Sequence, residues 1–241
     1  MPMWDNVRQL RVAANALFAA AGALLACGLM HQIVQLPVFA IRGIDVSGET
    51  GHVTREQIQA VIARELRGNF FTVDLAQARA AFEKLPWVRQ VDISRVWPDR
   101  IGLIVEEHRP IARWGSTALV SEEGVVFEAA INSVLPVFTG PAGTAPEVAA
   151  RFRECETLLA PIGRRVAQIH LSARRAWQLR LDDGMVIELG REAIQTRLAG
   201  FVQAYARTVA GLAAPPAYVD LRYTNGFSVR GGKSAADPDR V

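Results

Sequence analysis

The sequence predicts an α+β chain in three parts: one N-terminal transmembrane helix, a small β-α-α-β-β module, and a β-rich domain of antiparallel sheet with helices. Three observations carry this. Nineteen residues without a charge run from Val12 to Met30. From residue 39 to 110, two helical periods stand between one strand-like run and two more. From 111 to 230, short alternating runs recur around two helical stripes.

The whole chain has 241 residues, of which 50% are hydrophobic and 21% charged. That composition excludes wholesale disorder, and two cysteines exclude both a disulfide-built scaffold and a multi-cysteine zinc site. A bilayer core needs about 20 apolar residues in helix, so Val12–Met30 suffices, and 12–34 is assigned as the anchor. Two other readings compete. A cleaved secretory signal has a shorter apolar core. Leu24-Leu25-Ala26-Cys27 loosely matches a lipoprotein processing box, but Cys27 lies inside the apolar run rather than after it. The uncleaved signal anchor is preferred. Arg8, Arg11 and the free amine precede it, and Arg42 is the nearest cation after it, so the positive-inside rule keeps the 1–11 tail cytoplasmic. Cys27 then lies in the membrane and Cys155 outside it, so the two cannot pair within one chain.

Each element of the second part has a local cause. Ile44 and Val46 alternate with Asp45 and Ser47, giving a strand that stops at Gly48. Thr54 with Gln57 forms a capping box, and Ile58, Val61, Ile62 and Leu66 continue as a helix over 55–66. Asp74 caps a second helix striped by Leu75, Ala78, Phe82 and Leu85, which Pro86 ends. Val88–Trp97 is a strand, Pro98-Asp99-Arg100 a turn, and Ile101, Leu103 and Val105 alternate along a return strand. It ends at Glu106-Glu107-His108, which reads as a solvated strand end because strand neighbours point to opposite faces.

Leu85-Pro86-Trp87-Val88, Arg95-Val96-Trp97-Pro98 and Glu107-His108-Arg109-Pro110-Ile111-Ala112-Arg113-Trp114 occur in that order. They resemble the POTRA domain of the FtsQ/DivIB family of bacterial cell-division proteins, as do Ile44-x-Val46-x-Gly48 and Phe70-Phe71-x-Val73-Asp74. The resemblance implies a POTRA domain over 39–110. POTRA domains also occur in outer-membrane assembly proteins, so a POTRA-containing secretion or assembly factor is the alternative.

Downstream, Ala118–Ser121 and Val125–Phe127 read as a hairpin around Glu122-Glu123-Gly124. Leu135-Pro136 and Gly140-Pro141 punctuate a loop. Thr144 with Glu147 reads as a capping box, with Pro146 in the first turn and Val148, Phe152, Cys155 and Leu159 as the stripe, so Cys155 is a core thiol. Val166–Leu171 and the alternation Trp177, Leu179, Leu181 are strands, and Asp183-Gly184 turns into Met185–Leu189. Ile194, Leu198, Phe201, Val202 and Tyr205 mark a long amphipathic helix. Val219, Leu221 and Tyr223 alternate in a final strand, Thr224-Asn225-Gly226 turns, and Phe227–Arg230 continues as an edge. Residues 231–241 read as a disordered tail.

A converging catalytic or metal constellation is not visible. His31, His52, His108 and His170 lack ligand spacing, and neither HExxH nor GxSxG occurs. Gly232-Lys233-Ser234 misses a phosphate loop because position 227 is Phe and a Pro-bearing polar tail follows. The net charge is +3, and all but two of the 27 cations are arginine. Placement outside the membrane removes nucleic acid as a partner. Arg151/Arg153, Arg164/Arg165 and Arg174/Arg175 read as solvated faces, a minority of which contact acidic partner segments. Neither a cofactor nor a small-molecule substrate is implied, and the chain reads as a non-enzyme.

The function that remains is binding. A last strand on a sheet edge leaves backbone groups that a partner strand can satisfy. Residues 111–230 resemble the β domain of the same family in Ala173-Arg174-Arg175-x-Trp177 and in Tyr218-Val219-Asp220-Leu221-Arg222-Tyr223-x-x-Gly226. The resemblance implies pairing of this edge with the periplasmic end of FtsB, which joins FtsL in a coiled coil. It implies Tyr223 and Gly226 as contacts, with Leu221, Asn225 and Phe227 beside them, and Arg174 against an acidic partner side chain. Gly231 stands where the family often has tryptophan, and Phe227 is the candidate replacement. The POTRA domain and transmembrane helix would meet other division proteins, at a septal, inner-membrane location.

Overall fold

The computed structural model describes residues 7–48, 50–209, 216–223 and 226–231. Helix α1 (Val7–Val34) starts five residues before the predicted span. Its Leu10–Val34 stretch has a mean hydropathy of 1.9 and none of it is buried. At 1.5 Å per residue it is about 38 Å long, enough for a hydrocarbon core of about 30 Å. A length of apolar helix with no protein around it is a candidate membrane span. The chain divides into two compact units, 1–107 and 108–241.

In the first unit, β1 (Gly43–Ser47), α2 (Arg55–Glu65), α3 (Leu75–Phe82), β2 (Val88–Val96) and β3 (Arg100–Glu107) follow the predicted order. The Thr54–Gln57 capping box forms with both of its hydrogen bonds. Asp74 accepts the N–H groups of Ala76 and Gln77. The sheet order is β1-β3-β2, with β1 parallel and β2 antiparallel to β3. Ile44 therefore lies beside Ile101, and Ile93 beside Leu103, on the face that α2 and α3 cover with Ile58, Val61, Ala78 and Phe82. Gly48 ends β1 at φ +120°, where a Cβ would sit 2.1 Å from the Val105 carbonyl oxygen, so only glycine fits.

The second unit is built on one sheet of nine strands: β4 (Pro110–Trp114), β5 (Ala118–Ser121), β6 (Val126–Phe127), β7 (Val137–Thr139), β8 (Val166–Leu171), β9 (Trp177–Leu181), β10 (Val186–Gly190), β11 (Pro216–Asp220) and β12 (Ser228–Gly231). Their order is β12-β11-β10-β9-β8-β7-β4-β5-β6. Helices α4 (Ala145–Leu159) and α5 (Ile194–Thr208) pack with the buried sheet residues into one core that includes Phe138, Ile169, Leu179, Ile187, Leu198 and Phe201. The α+β architecture is as predicted, but the sheet is mixed. β7 pairs with β8 and β10 with β11 in parallel, because α4 and α5 are the crossovers that parallel neighbours require.

Three expectations need correction here. The stretch between Leu135-Pro136 and Gly140-Pro141 is not all loop, since Val137–Thr139 is the strand β7 in the middle of the sheet. The Thr144–Glu147 capping box does not form. Thr144 has φ −93° and ψ 2°, its hydroxyl donates to the Pro141 carbonyl at 2.7 Å, and Glu147 pairs with Arg175. Gly231, assigned to the tail, lies in β12 opposite Pro216. Residues 1–6 and 232–241 lie outside the described residues.

Candidate functional site

The sheet ends on β12, whose four residues are exposed and whose outer side pairs with no strand among the described residues. β12 runs antiparallel to β11, with Asp220 opposite Ser228, Val219 opposite Val229 and Tyr218 opposite Arg230. The strand predicted through Tyr223 stops at Asp220 instead. The Asp220 carboxylate accepts the Arg222 N–H at 3.0 Å and the Arg222 guanidinium at 2.6 Å. That local turn ends the ladder. The Arg222 hydrogen bonds hold the Asp220 carboxyl below its ordinary range against the opposing effect of burial.

The candidate contacts divide accordingly. Leu221 is 2% exposed and belongs to the core, so it supports the edge from beneath and offers no surface to a partner. Its N–H donates to the Glu188 carbonyl at 2.9 Å. Tyr223 lies just past the strand end and is 58% exposed. Gly226 has open space where a Cβ would stand. Phe227 is half-buried with its ring edge-on to Phe201, centroids 5.4 Å apart. Asn225 lies outside the described residues. Tyr223, Gly226 and Phe227 line a groove of about 330 Å³ against α5, whose Thr196, Gly200 and Ala204 form the opposite wall. Sequence reading missed those three residues. Their signal is small side chains recurring every four positions along one helix face, beside the apolar stripe.

Arg174 sits in the β8–β9 turn. Trp177 opens β9 opposite Gly190, and Glu188 lies opposite Asp220, so this turn and the end of β11 share one end of the sheet. Arg175, at φ +65°, directs its guanidinium to Glu147 at 2.6 Å, whereas Arg174 is exposed and makes no ion pair among the described residues.

Two further groups, Cys155 and Glu107, have shifted titration. Cys155 is buried, and desolvation pushes its thiol up to about 12, so it is a core residue. Glu107 is not the solvated strand end that the sequence suggested. Its carboxylate accepts the Val53 N–H at 2.8 Å, the His52 N–H at 3.0 Å and the His52 imidazole at 2.9 Å, which ties β3 to the start of α2. Burial opposes its ionisation, but these donors outweigh burial and hold the carboxyl below the ordinary range. Among the described residues, no three His, Cys, Asp or Glu side chains cluster in a way that could hold a metal ion.

One candidate membrane span, a β-α-α-β-β module and a mixed sheet with an open edge define a POTRA-bearing protein with a second, β-rich domain. Comparison with family models agrees: residues 39–108 match the FtsQ-type POTRA domain, and residues 112–222 match the C-terminal domain of cell division protein FtsQ/DivIB. The chain is 42% identical to cell division protein FtsQ of Nitrosospira multiformis, covering 95% of this chain and 99% of the relative. It is 40% identical to that of Burkholderia pseudomallei, covering 99% of each, and 37% identical to that of Allochromatium vinosum, covering 83% and 84%. The chain belongs to the FtsQ/DivIB family.

Proposed function

We propose that this protein is a bitopic inner-membrane scaffold of the division machinery. Its N-terminus is cytoplasmic, and both folded units are periplasmic. The relatives' common name, cell division protein FtsQ, supports the division role. The anchor supports the membrane placement, and Arg8 and Arg11 before it support the orientation. The second unit binds the periplasmic segment of FtsB, and through it FtsL, and so links early and late division proteins and regulates septal wall synthesis without catalysis of its own. The first unit serves localisation and recruitment.

The observation that carries this reading is the open side of β12 beside the Tyr223–Phe227 groove. A partner strand on β12 satisfies unpaired backbone groups, and the groove takes an apolar side chain from the same segment. Arg174, at the same end of the sheet, supplies a cation for an acidic partner residue. Affinity purification of the full chain from membranes tests it: FtsB and FtsL should co-purify, and a soluble FtsB periplasmic segment should compete them off. Absence of both proteins would sink the reading. Deletion of residues 39–107 should abolish septal localisation in cells. Localisation unchanged would remove the recruitment role from the first unit.

A further inference from the structure

Three loops of the first unit meet at the C-terminal end of α1. The Asn69 amide donates to the Val34 carbonyl at 2.6 Å, the Phe70 N–H to the Phe39 carbonyl at 2.9 Å, and the Arg42 N–H to the Asp99 carbonyl at 2.9 Å. Around that junction stands an aromatic cluster. Phe71 meets Phe39 edge-on at 5.0 Å and Phe70 at 5.3 Å, and Phe70 meets Trp97 at 5.8 Å. Phe70 is buried beneath, but Trp97 is 70% exposed, Val38 60% and Phe71 46%. Exposed apolar side chains thus ring the point where the chain leaves the helix.

The backbone of the loop that carries Phe70 and Phe71 is held by side chains of the protein. Asn69 Oδ1 accepts the N–H groups of Phe71 and Thr72, both at 3.0 Å. The Arg95 guanidinium donates to the carbonyls of Phe70 at 2.7 Å and Val73 at 2.9 Å. Loop backbone that has its partners within the protein can enter a region poor in water at little cost. Arg42, paired with Asp99 at 3.8 Å, and Arg67 are exposed three residues from Phe39 and Phe70 in the chain, and long cationic side chains of this kind can reach lipid phosphates.

We propose that Val38, Phe71 and Trp97 form a collar that docks the base of the POTRA domain into the headgroup–acyl boundary of the bilayer that α1 spans. Tryptophan and its apolar neighbours partition to that boundary, and the collar lies at the end of the helix that leaves the hydrocarbon core. The collar fixes the first unit against the membrane, so that the unit does not swing on a free tether. This docking presupposes α1 as a transmembrane anchor, the reading given above.

The test uses the full chain in phosphatidylethanolamine/phosphatidylglycerol nanodiscs, with Cys27→Ser and one environment-sensitive fluorophore on a single introduced cysteine. Cys155 is buried and stays unlabelled. Labels are placed at Val38→Cys, Phe71→Cys or Trp97→Cys, at Leu25→Cys in the anchor, and at Arg89→Cys. Arg89 lies eight residues from Trp97 along β2, about 26 Å away at a rise of about 3.3 Å per residue. Nitroxide lipids labelled near the headgroup should remove at least about half of the emission at the three collar positions and leave Arg89→Cys unchanged, as an interfacial belt requires. Acyl-chain nitroxides should quench Leu25→Cys. Quenching at Leu25→Cys with none at the collar overturns the docking and leaves the anchor standing. No quenching at Leu25→Cys overturns the anchor and the docking together. Collar protection that appears only on addition of a protein partner also overturns it.

Discussion

The carboxylate of Glu107, the last residue of β3, accepts the backbone N–H of Val53 at 2.8 Å, 54 residues earlier in the chain. With the two bonds from His52 it closes the loop between β1 and α2 onto the sheet. Glu107→Gln keeps the shape but turns one acceptor into a donor that faces backbone N–H groups. The loss should be about 1.5–3 kcal/mol of stability, the range for hydrogen bonds to a charged group. The folded carboxyl lies below its unfolded value of 4.5, so its contribution is complete above that pH and is lost as pH falls through the lower, folded value. Thermal unfolding of the detergent-solubilised chain from pH 7 to pH 3 should show the gap between wild type and Glu107→Gln closing below about pH 4.5, since the other carboxylates titrate alike in both.

Gly48 makes a second prediction for the same unit. Gly48→Ala must hold φ near +120° and drive its Cβ toward the Val105 carbonyl oxygen. Backbone strain alone costs about 1–3 kcal/mol, and relief of the clash would separate β1 from β3. A chemical-denaturation midpoint equal to wild type would contradict the close approach.

Cys155 should be chemically silent while the protein is folded. Its thiol is pushed up to about 12 by burial, so the thiolate fraction at pH 8 is negligible. A maleimide should label only Cys27→Ser chains that have been unfolded. Labelling of the native chain at the rate of a free thiol would place Cys155 outside the core.

Gly200 separates the groove from the stability of α5. A Cβ there meets nothing within 4 Å, so the side chain of Gly200→Leu starts from open space and occupies part of the groove beside Phe227. Removing a glycine from the helix interior should raise stability by about 0.5–1 kcal/mol. Affinity for the FtsB segment should fall at the same time, as measured by calorimetry. A more stable protein with unchanged affinity would remove the groove from the interface.

Local signals in the sequence were as good as the interactions that could override them. Thr54–Gln57 and Thr144–Glu147 carry one pattern, yet only the first forms a capping box. Thr144 is turned away by its own backbone and by the Pro141 carbonyl three residues upstream, outside the pattern, and Glu147 is taken by Arg175, 28 residues away, which no local pattern can read. β7 is three residues between prolines and becomes a central strand only because β4 and β8 flank it. The alternation Val219, Leu221, Tyr223 was real, but Asp220 bonding to Arg222 stops the strand inside it, so Leu221 turns into the core and Tyr223 is left outside. The open edge is β12, Ser228–Gly231, one residue along from the Phe227–Arg230 edge that the sequence suggests. The parallel pairs replace the antiparallel sheet that the sequence suggests, because a helix as long as α4 or α5 between two strands serves as a crossover, which a hairpin does not need.

Arg174 and Arg175 are adjacent, alike in charge and opposite in circumstance, and this difference tests the interface most directly. Arg175 is held by Glu147 at 2.6 Å, while Arg174 is exposed at the end of the sheet where Tyr223 also lies. Arg174→Glu should therefore leave the unfolding midpoint unchanged and, at the interface proposed above, weaken FtsB binding by setting a like charge against an acidic partner residue. Tyr223→Ala should do the same by removing an exposed ring at the groove mouth. Each should cost roughly 1–2 kcal/mol, or about 5–30-fold in affinity, as for interface anchors. Arg175→Glu is the control: it breaks the pair with Glu147 and should affect stability slightly with little change in affinity. Raising the salt concentration should reduce the Arg174→Glu effect and leave that of Tyr223→Ala, since only the first is electrostatic. Unchanged affinity in both Arg174→Glu and Tyr223→Ala would place the partner elsewhere on the sheet.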